Sequence, residues 1–315
     1  MMKRMLYAAV SGIIILIFFL YPQVVSASAK EGLLLWFQVV LPALLPFLIL
    51  SSVILGLGID GSISRLVSPV LTRVFGISKA GCYPVVIGML SGYPLGAATV
   101  AEMVRREKIS LEEAQYILHF CNNASPMFLL QFIGVNCLGL KQPLLILGII
   151  YLAAWTNALL ERLFRRKSFQ GEMPSIWCMQ QKVSLIELLD DSILRGFTVL
   201  AKVGGYIILF SILAGVLEQT LPFPVSVRAV ITGLLEITSG ANQMVHMAIP
   251  AQHRMILLLG CSAFGGCSSV AQSASVLEET GLSIRKYICA KSRQAILAAG
   301  YTALLISLFG MDVLS

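Results

Sequence analysis

Charge is scarce in this sequence. Asp, Glu, Lys and Arg make up 12% of its 315 residues, about half of the roughly 25% usual in soluble domains. Hydrophobic residues reach 57% and mean hydropathy +0.85. So little polar surface excludes an ordinary soluble globule. Polar–apolar alternation is also missing from the long apolar runs, which predicts membrane helices. There are only three histidines. The seven cysteines show no CxxC pair, and no histidine pair follows at zinc-site spacing, so no metal is expected. Those in or beside apolar segments, such as Cys82, Cys121 and Cys261, read as small packing residues. No basic stripe with interleaved aromatics, Gly-rich phosphate loop or G-x-S-x-G elbow occurs, which excludes nucleic-acid, nucleotide and hydrolase classes. The net charge of +7 reflects Lys and Arg in loops. No cofactor is implied, and a coupling ion, sodium or proton, is not legible.

What is present is a series of apolar segments of uneven length. Residues 1–29 have a basic head, an apolar run and the small-residue stretch "SASA". That pattern fits a signal sequence or a retained first transmembrane helix, and we favour the helix. Pro42 and Pro46 interrupt the next run. The expectation is an interfacial helix over 30–41 with Trp36 near the headgroups, then a short span over 43–58. Residues 60–79 carry Asp60, Arg65, Arg73 and Lys79 at helical spacing, which predicts a surface helix. Ser110 with Glu113 three residues later forms a capping-box pattern ahead of a helix that breaks at "CNNASP". Residues 143–160 form the plainest span. The polar segment 161–183, with Arg162, Arg165, Arg166 and Lys167, divides 30–160 from 184–315 and is expected in the cytoplasm. Residues 184–196 read as amphipathic and interfacial, 197–218 as a span, 225–250 as broken again, and about 291–310 as the last span.

Two stretches, "GMLSGYPLG" (88–96) and "GCSAFGGCSS" (260–269), are dense in small residues. An offset of 173 places Gly92 on Gly265 and Ser110 on Ser283. The shared order of break, half helix, polar turn and second helix predicts two repeats. Interrupted segments at matching places are the plan of secondary transporters, because broken backbone in lipid survives only against protein or a water-filled cavity. Helix N-termini then offer free N–H groups and positive dipole ends to a solute. Glu236, in an apolar segment, is a cavity candidate, with interfacial placement beside Arg228 as the alternative. Asn122 and Asn123 fit solute contact or capping of the break, and Gln243 and Gln272 are open in the same way. His246 reads as packed or interfacial, and His119 and His253 as interfacial. Arg105, Arg106 and Lys108 mark a hairpin tip. Glu102 is harder to dismiss.

The block "GMLSGYPLGAATVAEMVRREKISLEEAQYILHFCNNASPMFLL" closely resembles the first block of the YlbJ-type sporulation integral membrane proteins, within the nucleoside-recognition or gate-domain group. "LPALLPFLILSSVILGLG", "GLLEITSGANQM" and "CSAFGGCSSVAQSASVLEETGLSIRKY" resemble its other blocks in the same order, and together they span roughly residues 30–310. Cys267 and Val270 depart from the pattern. The resemblance implies an all-α polytopic membrane protein with two inverted repeats, broken helices and re-entrant hairpins, similar to concentrative nucleoside transporters. It implies a role in endospore formation, with transport of a small polar anion such as dipicolinate, in the cell membrane or the mother-cell-derived membrane around the forespore. By motif match the implied substrate site comprises Ser91, Gly92, Tyr93, Pro94, Gly96, Asn122, Asn123, Glu236, Thr238, Gly240, Gly265, Gly266, Ser268 and Gln272. The implied partners are the solute and the lipid bilayer, with room for a homo-oligomer. A non-transporting spore-assembly scaffold and a nucleoside-type transporter outside sporulation remain as alternatives. An intramembrane enzyme using Ser268 or Ser269 with His246 is not expected.

Overall fold

A computed structural model of the chain describes residues 12, 15–141, 143–164, 169 and 184–310. The expectations for the extreme N-terminus and for most of the 161–183 linker lie outside these residues. In chain order the helices are α1 (Pro22–Leu35), α2 (Leu41–Gly56), α3 (Asp60–Phe75), α4 (Cys82–Ser91), α5 (Leu95–Arg105), α6 (Leu111–Cys121) and α7 (Leu144–Phe164). They continue as α8 (Leu185–Thr220), α9 (Val225–Leu235), α10 (Ile237–Val245), α11 (Ala251–Phe264), α12 (Gly266–Val276) and α13 (Ile284–Phe309). Two π-type stretches, Trp36–Val40 and Phe128–Cys137, complete the fold, and no strand occurs among the described residues. Among the described residues four helices are long and apolar enough to cross a bilayer: α7, α8, the pair α11–α12 taken together, and α13. The bent pair α2–α3 offers a fifth.

The first part of the chain corrects the sequence expectation. Residues 22–56 form one rod through α1, the π-type stretch and α2, antiparallel to α8. The segment 30–41 is therefore not a separate interfacial helix. A Cβ on Gly204 of α8 would lie 2.8 Å from the Trp36 ring. Only glycine leaves that slot open, and the indole Nε1–H then donates to the Leu200 carbonyl at 2.9 Å. A half-buried tryptophan with its N–H satisfied gains more than one parked at the headgroups. Likewise, 184–196 and 197–218 are one 36-residue helix, α8, started by Ser184, whose Oγ accepts the Glu187 N–H at 3.2 Å.

The α3 helix turns 97° from α2 and lies across one end of the bundle, as its charge spacing predicted. Asp60 there pairs with Lys108 of the α5–α6 turn at 2.6 Å. The Arg162 guanidinium, at the end of α7, donates to the carbonyls of Arg73 and Val74. The same end holds the α12–α13 turn, where Gln115 Oε1 accepts the Ser283 N–H at 2.6 Å. Arg65, Arg73, Arg105, Arg106, Lys108, Arg162, Arg285 and Lys286 thus gather on one face of the molecule.

Two helical hairpins enter from opposite faces. In α4–α5 the chain leaves the basic face, turns at Gly92–Pro94 and returns to it at Arg105. The arms close where Gly88 faces Gly96, with a Cβ on Gly88 falling 3.0 Å from the Gly96 Cα. In α9–α10 the turn lies at Glu236, and both arms end at Glu218, through Arg228 to its carbonyl at 2.6 Å and Gln243 to its carboxylate at 2.9 Å. Here Gly233 and Gly240 touch backbone to backbone. By contrast, α11 and α12 do not fold back on each other but continue across the bundle. Gly92 and Gly265, aligned in the sequence, therefore mark different events: a hairpin turn and an interrupted crossing.

Candidate functional site

The site is built by the ends of broken helices. Gly92 has φ +81°, and a Cβ there would meet the Ser125 N at 2.5 Å, so the α4–α5 tip lies directly on the break after α6. The following Tyr93 N–H donates to the Asn123 carbonyl at 2.6 Å, and the Tyr93–Pro94 bond is cis. Gly265 has φ +86°, and a Cβ on it would lie 3.1 Å from Tyr93 Cε1. A Cβ on Gly266 would lie 3.1 Å from the Leu235 carbonyl and 3.3 Å from the Ile237 N. The tip at Tyr93, the break at Gly265–Gly266 and the break at Glu236 thus converge.

Glu236 is buried and caps α10. Its Oε1 accepts the Thr238 N–H at 3.0 Å and its Oε2 the Ser239 N–H at 2.7 Å. A carboxylate on a helix N-terminus is stabilised by the free donors and by the dipole, which is how an acid persists here. Glu236→Ala is expected to lower stability by about 1–2 kcal/mol, read as the thermal midpoint in detergent. Glu236→Gln, which keeps one carbonyl acceptor, should lose less. Equal losses would assign the effect to charge instead of capping.

Asn122 and Asn123 are both buried and fully engaged. Asn122 Oδ1 accepts the Ala97 N–H at 3.1 Å, and its Nδ2 donates to Ser273 Oγ and to the Tyr287 hydroxyl, both at 2.8 Å. Asn123 Nδ2 donates to the Phe120 carbonyl at 2.7 Å. Its Oδ1 accepts from Lys291 Nζ at 3.1 Å and Gln294 Nε2 at 2.8 Å. These asparagines do the capping work at their break and tie it to α12 and α13. Gln272 Nε2 donates to Ser268 Oγ at 3.0 Å. Gly96 packs against Asn122, and Gly240 against Gly233. Two buried hydroxyls beside the breaks, Ser91 Oγ and Ser262 Oγ, have no hydrogen-bond partner among the described residues, which singles them out for a functional explanation. His246 is exposed and bonds the Asn242 carbonyl, so no hydrogen bond joins it to Ser268. His119 is buried, contrary to the interfacial expectation, and its Nδ1 lies 2.7 Å from Glu161.

The sequence reading missed Lys291. Its side chain is 1% exposed, and Nζ donates to the Asn122 carbonyl at 3.3 Å, Asn123 Oδ1 at 3.1 Å and Gln294 Oε1 at 2.8 Å. No carboxylate pairs with it among the described residues. A buried ammonium with three neutral oxygen partners is a functional candidate by default in a membrane segment. The signal was there in Tyr287, Lys291 and Gln294, which share one helix face at steps of four and three.

A cleft of about 550 Å³ leads toward this centre between α2, α5, α8 and α12. Its wall runs along α5 from Leu95, next to Pro94, to Arg105, about 15 Å at 1.5 Å per residue. Glu102, Arg195, Lys202 and Glu278 line it. Glu102 bonds Arg106 at 2.7 Å and Arg195 at 3.5 Å, while Arg105 donates to the carbonyls of Val276 and Glu278 at 3.1 and 3.2 Å.

Apolar spans, broken helices and buried polar centre define an all-helical, multi-pass integral membrane protein. Over 319 aligned positions, covering 90% of this chain and 78% of the relative, it is 28% identical to the Sporulation integral membrane protein YlbJ of Bacillus subtilis (strain 168). That similarity supports the YlbJ-type family indicated by the motifs. No family model and no solved structure matches the chain.

Proposed function

We propose that this protein carries a small polar anion across the membrane. The observation that carries the reading is the meeting of three backbone breaks, at Tyr93, Glu236 and Gly265–Gly266. Unwound backbone in a bilayer is stable only where it is enclosed or lines a solute path. The hydroxyls of Ser91 and Ser262, unpaired among the described residues, and the charged cleft along α5 support such a path. In its protonated form Lys291 favours negative charge, since no acid among the described residues offsets it. Dipicolinate, a dicarboxylate, fits that preference, and the resemblance to YlbJ-type proteins favours it during endospore formation.

The same reading takes the two halves as inverted copies. A hairpin (α4–α5, α9–α10), a broken crossing (α6 with the second π-type stretch, α11–α12) and a long helix (α7, α13) follow in each half. On this plan Gly88 corresponds to Gly233 and Gly96 to Gly240, an offset near 145 residues in place of 173. The basic face is then cytoplasmic.

Uptake into vesicles holding the purified protein tests the proposal. Dipicolinate and uridine would each be offered with and without a sodium or proton gradient. Accumulation of dipicolinate well above protein-free vesicles is expected. Folded protein that moves neither solute would overturn transport. It would favour the spore-assembly scaffold, a reading that the self-contained Asn122–Asn123–Lys291 network also fits.

A further inference from the structure

A second cleft, of about 520 Å³, opens on the basic face between the ends of α6, α7 and α13. Arg285, Lys286 and Arg293 of α13 line it with His119 and Glu161. Glu161 is the one carboxylate among the lining residues, and it is already shared by His119 Nδ1 at 2.7 Å and Arg293 at 3.4 Å. The exposed side chains of Arg285 and Lys286 have no hydrogen bond or ion pair among the described residues. Positive charge is therefore in excess. The adjoining wall is apolar and outward-facing: Phe164 is 87% exposed, and Ile296, two turns below Cys289 on α13, is 73% exposed. In a membrane protein those surfaces meet acyl chains.

We propose that this cleft binds the phosphate of an anionic phospholipid, with Arg285 and Lys286 on the phosphate and the acyl chains along Phe164 and Ile296. Guanidinium and ammonium groups beside a lipid-facing wall, at the level of the headgroups, supply the chemistry such a lipid needs. The inference is independent of transport, as the cleft shares no residue with the one along α5.

The full chain in nanodiscs of phosphatidylcholine, with or without phosphatidylglycerol, provides the test. The readout is lipid retained on the protein by native mass spectrometry. Phosphatidylglycerol is expected to be retained preferentially, and R285Q/K286Q should weaken that preference by about tenfold or more. Both positions are exposed, so the fold should survive, with an unchanged thermal midpoint in phosphatidylcholine as the check. R65Q/R73Q removes two cations from the same face, outside the cleft, and should leave the preference intact. Inorganic phosphate in phosphatidylcholine discs should raise the thermal midpoint little. Retention unchanged in R285Q/K286Q, or lost equally in R65Q/R73Q, overturns the site. A full response to inorganic phosphate alone overturns the lipid as its source.

Discussion

Lys291→Met is expected to lower the thermal midpoint of the detergent-solubilised protein by roughly 10 °C and solute flux at least about tenfold. The wild-type ammonium satisfies Asn122 O, Asn123 Oδ1 and Gln294 Oε1. Methionine fills similar volume but donates to none of them. Hydrogen bonds to charged groups contribute about 1.5–3 kcal/mol each, and buried acceptors left unpaired lose their hydration as well. Even after Gln294 reorients, a loss on the order of 3 kcal/mol remains, and each kcal/mol moves the midpoint by roughly 2–4 °C in a chain approaching this size. Partial rescue separates this account from a simple packing defect. Asn123→Leu added to Lys291→Met removes an acceptor that has already lost one of its two donors and keeps only Gln294 Nε2, so the double variant should be more stable than the sum of the single losses by about 1 kcal/mol. Strict additivity would mean that Lys291 and Asn123 are not coupled.

Gly240→Val should have the largest structural effect. Its Cβ would collide with the Gly233 backbone, N and Cα alike. No rotamer change relieves a clash between two main chains, so the α9–α10 arms must separate and drag Glu236 off its cap. We expect loss of most folded protein from detergent extracts, followed by size-exclusion profile. Gly88→Val should behave similarly, since its Cβ would lie 2.5 Å from the Cys121 carbonyl and 3.0 Å from the Gly96 Cα. Gly205→Ala is the control. Nothing lies within 4 Å of that position, and alanine in an α8 interior should be neutral or stabilise by up to about 1 kcal/mol. A destabilising Gly205→Ala, or a well-folded Gly240→Val, would contradict the hairpin geometry.

Local chemistry was legible in the sequence, and long-range direction was not. Ser110 and Ser283, paired by motif, both cap helices: Ser110 Oγ accepts the Glu113 N–H at 3.2 Å, and Ser283 Oγ the Lys286 N–H at 3.4 Å. Only half of the expected capping box forms, because Glu113 turns instead to the Ser78 N–H at 2.5 Å. Gly92, Glu236 and Gly265 were recognisable as break points, since glycine and a buried carboxylate are poor in an apolar helix interior. Whether the chain folds back or carries on past a break depends on a contact several residues away, such as Gly88 on Gly96, which no local pattern encodes. Trp36 was misplaced for the same reason: its slot is opened by Gly204, 168 positions on. Lys291 was hidden by the length of the apolar run, which put the start of the last span at the lysine itself. The helix begins at Ile284, two turns earlier, and so draws the charge inside.

The length of α8 has a mechanical consequence. Thirty-six residues make a rod of about 54 Å, against a hydrocarbon core of about 30 Å. Tilt absorbs part of the excess and the remainder projects. The projecting end on the basic side carries Glu187, Asp190, Asp191 and Arg195, and Arg195 stands at the mouth of the charged cleft. A thicker bilayer would immerse more of that end and bring headgroups up to the mouth, while a thinner one would lift it clear. Under the transport proposal, access to the cleft would then follow bilayer thickness, with the rod setting the depth of its mouth in the membrane.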